Sequence, residues 1–143
     1  MSGVPERLRG LSECEFYNTA VELRAEVLAL VHSSAMPKSQ RFTFAVPMAE
    51  TARGVVRDVC RGQAFYPNTE KNVEARKGYY TMAVAGCEML MQDCQAFLAL
   101  ARRVGNAGAK ASAFTRVVEL ADSEIALLKA ARSGVRLRGK GVK

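Results

Sequence analysis

The chain has no tryptophan, one histidine (His32), and no acidic residue after Glu124. One histidine cannot supply the two Glu-x-x-His pairs of a di-iron helix bundle. Beside the Ser33–Ser34 break, His32 reads as a residue closing a helix, not as a ligand or catalyst. The four cysteines, at positions 14, 60, 87 and 94, form no CxxC pair and lack the clustering of a zinc site. Cys60, Cys87 and Cys94 fall among apolar residues at helical spacing, as small core side chains in a reducing compartment do. Phosphate-cradling GxxxxGK[ST] and GxGxxG loops are missing, as is a GxSxG elbow. No apolar run approaches the ~18 residues of a membrane span. The first ten residues hold no apolar core of a secretory signal. The expectation is a cytoplasmic, non-catalytic protein with no metal or other cofactor.

What is present is helical rhythm. With 143 residues, 49% apolar and 24% charged, the chain suits one soluble domain with its own core. Phe16, Ala20, Leu23, Val27 and Leu30 are spaced alternately four and three residues apart. The rhythm returns in Ala45, Ala49, Ala52, Val56 and Val59, then in Tyr80, Val84, Cys87, Met91, Cys94, Leu98 and Ala101. It appears last in Phe114, Val118, Ala121, Ile125 and Leu128. Such steps keep apolar side chains on one seam of an α-helix, and no segment of like length alternates with the period of a strand. Breaks fall at Ser33–Pro37, Gly62–Thr69 and Gly105–Gly108, with Thr69 placed to cap the third helix. Pro47, inside the second segment, should kink that helix or delay its start. Short connections favour antiparallel neighbours. The predicted fold is therefore all-α, an antiparallel up-down-up-down four-helix bundle over residues 1–133 with a flexible basic tail over 134–143. Further apolar residues (Leu28, Val31, Val46, Val55, Met82, Met89, Leu90, Val117 and Leu127) imply either a broad core or a second face buried in a homo-oligomer.

Charge is the second feature. Of the formal net charge of +7, six units lie in the last fifteen residues and one in the first 128. A near-neutral body with a polycationic end points to an anionic partner such as nucleic acid, although a basic tail can also serve solubility alone. The tail supplies Lys129, Arg132, Arg136, Arg138 and Lys140 as candidate contacts. Arg53, Arg57 and Arg61 form an i, i+4, i+8 row on the second helix, and Arg76 and Lys77 begin the third. Glu50 and Asp58 are placed to pair with part of that row, leaving a plain surface role open. An up-down-up-down path brings the tail, Arg57, Arg61, Lys71, Arg76 and Lys77 to one end. There they would contact phosphates, while Phe65, Tyr66 and Tyr79 either stack on bases or pack inward. Glu88, Asp93, Glu119, Asp122 and Glu124 read as a solvated face. The tail has few large apolar residues, which argues against a membrane role.

The entry Met36-Pro37-Lys38-Ser39-Gln40-Arg41-Phe42 and the run Tyr79-Tyr80-Thr81-Met82-Ala83-Val84-Ala85-Gly86-Cys87-Glu88-Met89-Leu90 resemble a superfamily of small four-helix bundles. It contains the accessory variability proteins of diversity-generating retroelements and the proteins encoded by intervening sequences of bacterial 23S ribosomal RNA genes. The resemblance covers roughly residues 13–133. It implies a basic, pentameric, non-catalytic bundle that binds RNA or DNA and a reverse transcriptase during mutagenic copying of a template RNA. Arg53, Arg57, Arg61, Arg76 and Lys77 match the basic surface of that group. The chain departs from it near the end of the last helix, where Ser133-Gly134-Val135 stands in place of a Gly-Trp found in many relatives. A ribosomal-RNA-associated protein and a purely protein-binding bundle are the alternative readings.

Overall fold

A computed structural model describes residues 14–105 and 111–139. Among these residues the chain forms four α-helices: α1 (Glu15–Val31), α2 (Val46–Gln63), α3 (Glu70–Arg103) and α4 (Ser112–Ser133). Each packs against its neighbour in chain order, and α1 closes the ring against α4. This is the up-down-up-down four-helix bundle that the periodicity predicts. No helix among the described residues is long and apolar enough to cross a membrane.

The helix boundaries follow local chemistry. Thr69 accepts the Asn72 amide at 3.0 Å and caps α3, as its hydroxyl suits it to do. Gly105, at φ +75°, ends the same helix in a conformation that favours glycine. The α3–α4 connection at 106–110 lies outside the described residues. Pro47 delays α2, one of the two outcomes expected of it. Its ring would meet the Thr43 carbonyl in a regular helix. The chain instead takes a 3₁₀ turn (Lys38–Gln40) and a π turn (Arg41–Ala45) before α2 begins at Val46.

The core is largely as the seams indicate for α1 and α3. Ala20, Leu23, Val27 and Leu30 are buried on α1, and Tyr80, Val84, Cys87, Cys94 and Ala101 on α3. Two helices are rotated relative to their expected seams. On α2 the buried apolar stripe is Met48, Ala52, Val55 and Val59; on α4 it is Phe114, Val117, Leu120, Ala121 and Leu128. Ala49, Val56, Val118 and Ile125 lie only half-buried at the edges. Apolar residues on both sides of these seams make adjacent rotations similar in burial, so close packing decides. A Cβ on Gly62 would sit 2.6 Å from the Tyr80 ring, and one on Gly86 2.8 Å from Val55 Cγ2. These approaches fix how α2 lies on α3. At one end Phe16 meets Tyr80 edge-on at 5.3 Å; at the other Phe44, Phe97 and Phe114 form a chain of ring contacts.

The rotation of α4 has a cost. Glu124, expected on a solvated face with Glu119 and Asp122, is fully buried, and neither carboxylate oxygen has a hydrogen-bond partner. It lies three residues beyond Ala121 and four before Leu128, which places it on the inward stripe. Asp93 departs similarly: it is half-buried, its Oδ2 lacks a partner, and burial raises its pKa. Glu88, Glu119 and Asp122 are exposed or at the edge, as expected of a solvated face. Burial pushes the Glu124 carboxyl up to about 8 and the Cys94 thiol up to about 11, and raises the Cys87 thiol further. The two buried thiols are therefore protonated, poor nucleophiles, in keeping with core packing.

Glu124 makes stability depend on pH. The folded chain keeps this proton to about pH 8 and the unfolded chain loses it near 4.5, so folding takes up a proton between those values. Its contribution is fully favourable below pH 4.5 and is lost as pH rises toward 8. At pH 7 the cost is about 3 kcal/mol, at 1.36 kcal/mol per pKa unit. The melting temperature of the wild type should fall between pH 5 and pH 8, measured by circular dichroism. Glu124→Gln should flatten that fall and melt above the wild type at pH 8; identical profiles for the two proteins would contradict the assignment.

Candidate nucleic-acid interface at the basic pole

Topology places the end of α2, both ends of the α2–α3 turn, the end of α4 and the residues after it at one pole. Gly62 faces Tyr80, and Arg132 Nη1 donates to Thr81 Oγ1 at 3.0 Å. Gly62 also lies level with the Arg76 carbonyl, so residues 70–75 of α3 project beyond the end of α2, by about 9 Å at 1.5 Å per residue. The turn and residues 135–139 fold along this projection.

Arg76 holds the pole together. Its Nε donates to the Tyr80 hydroxyl at 3.1 Å, Nη1 to the Phe65 carbonyl at 3.0 Å, and Nη2 to Gln63 Oε1. Gln63 Nε2 in turn donates to Cys14 Sγ at 3.3 Å, tying the start of α1 to the end of α2. Burial raises the Tyr80 pKa, while the Arg76 charge and hydrogen bond pull it partly back. The turn has a second tie: Asn72 Nδ2 donates to the Tyr66 carbonyl at 3.0 Å and to Asn68 Oδ1 at 3.1 Å.

The chain beyond α4 uses this turn as its seat. The flexible segment expected from residue 134 is narrowed: residues 135–139 run without helix along the turn, Val135 is buried, and the Arg138 amide donates to the Pro67 carbonyl at 2.7 Å. Gly139, at φ +68°, lies near the Tyr66 ring, with a Cβ there 3.6 Å from Cε2. The physical reason is Val135, whose side chain finds apolar cover on a pole that composition alone presents as charged. A cleft of about 330 Å³ lies here, lined by Phe16, Tyr66, Tyr80, Arg76, Arg136 and Arg138 among others.

The sequence-predicted residues divide by this geometry. Arg61, Lys129, Arg136 and Arg138 are exposed at the pole, and Lys77 and Arg132 are half-buried there. Arg76 reaches the pole too, but each nitrogen of its guanidinium is bonded within the chain, so its part is to shape the surface. The row Arg53, Arg57 and Arg61 runs along the outer side of α2, climbing about 12 Å up the side of the bundle from the pole. Arg57 Nε lies 3.7 Å from Asp58 Oδ1, a long contact to a buried carboxylate oxygen that has no hydrogen bond. Lys140 lies outside the described residues.

Of the three ring candidates, Phe65 and Tyr79 stack on each other at 5.8 Å and 15°, leaving Tyr66, 57% exposed, as the outward one. The acids of this end, Glu15, Glu70 and Glu74, are outnumbered by the cations around them. The seat of the tail on Pro67 is not legible in the sequence; its one pointer is an apolar Val135 between Gly134 and Arg136. No cluster of three or more potential metal ligands occurs among the described residues.

Among the described residues, the fold and pole define a class: an all-α bundle whose residues 135–139 form a cationic strap over one pole. Compared with known proteins, the chain matches no family model, no curated relative and no solved structure.

Removing the Arg76 ties should loosen the turn and the strap together. Arg76→Met deletes three hydrogen bonds from a charged donor and should cost about 2–3 kcal/mol of stability. Urea unfolding with an unchanged m-value and a lower midpoint checks it; an unchanged midpoint would show that the hub is not structural.

Proposed function

We propose that this protein is a non-catalytic accessory factor that binds nucleic acid through phosphate contacts at its basic pole and docks a protein partner. The observation that carries the reading is the strap itself. Arg136 and Arg138 are both exposed and stand two residues apart on a segment without helix, which puts their Cα atoms at most about 7 Å apart. That suits successive phosphates of one strand, with Tyr66 as a stacking platform beside them. Lys129, Arg132, Lys77 and Arg61 widen the cationic surface, and Arg57 and Arg53 extend it along α2. Contacts of this kind position a strand but read little of its sequence.

The resemblance to retroelement accessory proteins supports a particular setting: assistance to a reverse transcriptase copying a template RNA in the cytoplasm, as a homo-oligomer, pentameric in that group. Exposed Met82 and Met89 on the outer face of α3, with Val21 on α1, provide apolar surface for self-association. The sister setting, attachment to ribosomal RNA, uses the same pole.

Fluorescence anisotropy with a labelled structured RNA and an unrelated DNA, across a salt series, tests the binding. Affinity should fall steeply with salt. Arg136→Gln/Arg138→Gln should weaken it and lessen the log–log slope by about 0.7–0.9 for each phosphate no longer neutralised. Charge-removing substitutions are better than truncation, because Val135 is part of the packed structure. Salt-independent binding, or none in the wild type, would overturn the reading. Co-purification with a reverse transcriptase or with ribosomal particles separates the two settings.

A further inference from the structure

The opposite pole carries a different site. Where Pro47 forces the π turn, the chain swings away from the end of α1 before α2 begins. A cleft of about 400 Å³ is left between them. Leu28, Val31, Met36, Ala45, Val46 and Ala49 supply its apolar walls. Leu28, Val31 and Val46 are apolar positions outside the four helix seams, and of these only Val31 packs against the core. A concave apolar pocket with a few polar groups is the usual form of a small-molecule site.

Two of the polar groups, Lys38 and Arg41, are cationic. His32, Lys38 and Arg41 line the same cleft, all three are exposed, and no acidic residue lines it. The carbonyls at the end of α1 do not need Lys38 or Arg41. Leu28 O accepts from the His32 amide at 3.2 Å and from Nδ1 at 2.8 Å, and Leu30 O accepts from Ser33 Oγ at 2.7 Å. A carbonyl only accepts, so the Nδ1 bond places a proton on that nitrogen and leaves Nε2 directed elsewhere. Arg41 lies 5.7 Å from the centre of the Phe42 ring, a contact that leaves its hydrogen-bonding edges unused. No ion pair of Lys38 or Arg41 is formed among the described residues.

We propose that this cleft binds a small amphipathic carboxylate, with an acyl or aryl body against Val31, Met36 and Ala49 and the carboxylate between Lys38 and Arg41. Apolar burial supplies the attraction, and the charge-assisted hydrogen bonds select an anion over a neutral or cationic analogue. The site is independent of the basic pole, which lies at the other end of the bundle.

Decanoate, below its aggregation threshold, is the probe, followed by amide chemical shifts of the full chain. Saturable shifts are expected at the cleft residues, from Ala45 to Ala49 and around Val31. Decylamine should bind at least about tenfold more weakly, the loss set by forfeiting charged hydrogen bonds. Lys38→Gln/Arg41→Gln alters exposed side chains and should fold normally while weakening decanoate by a similar factor. Ala49→Phe, which fills the floor, should abolish binding, and its spectrum reports whether the bundle is intact. Absence of saturable shifts overturns the proposal. So does equal affinity for decanoate and decylamine, or decanoate binding unchanged in the charge variant.

Discussion

The basic pole depends on one guanidinium. Arg76 donates to the Tyr80 hydroxyl, to the Phe65 carbonyl and to Gln63, and each acceptor belongs to a different part of the pole. Tyr80 is in the core of α3, Gln63 ends α2, and Phe65 lies in the turn between them. With that turn held, the Pro67 carbonyl is available to the Arg138 amide, and Val135 reaches apolar cover. A buried-edge arginine thus determines where two exposed ones stand. Arginine suits the task because its planar fork keeps several donors in fixed relative directions, which a lysine ammonium cannot do.

The two ends of the bundle are built by opposite means. At the basic pole, hydrogen bonds from side chains to the turn give order without regular secondary structure. At the other, Pro47 prevents regular helix and the chain takes a 3₁₀ and a π turn. There Phe44 anchors the connection against Phe97, while Phe42, 80% exposed, is left outward. The first arrangement closes a surface over the projecting end of α3. The second opens a cleft beside α1. Both follow from connections too irregular to continue as α-helix, the first tied by side chains and the second by backbone bonds of its own turns.

Much of this is legible in the residues. The three-and-four spacing identifies four helices, Thr69 marks a cap, and the path of an antiparallel bundle brings the cations of α2, α3 and the tail together. The rotation of α2 and α4 is not legible, because Val117 and Val118, or Val55 and Val56, offer apolar side chains on adjacent faces. On α2 that choice is made by the close approach of Gly62 to Tyr80 and Gly86 to Val55, contacts between segments distant in sequence. Glu124 follows the rotation of α4 into the core, against the ordinary rule that a carboxylate stays in water. The role of Arg76 is likewise hidden: its charge suggests an outward contact, and only the folded positions of Gln63, Phe65 and Tyr80 reveal the hub. The strap is obscured by Gly134 and Gly139, whose freedom favours a loose tail in the absence of the Pro67 carbonyl.

The central claim is that the strap is seated on the turn that Arg76 holds. Amide hydrogen exchange at Arg138 reads this directly, because its N–H is bonded to Pro67 at 2.7 Å. In the wild type this amide should be protected well beyond an exposed chain, and in Arg76→Gln the protection should drop while that of the α1 and α3 core amides is largely kept. Exchange of the wild-type Arg138 amide at the rate of an unstructured peptide would contradict the account.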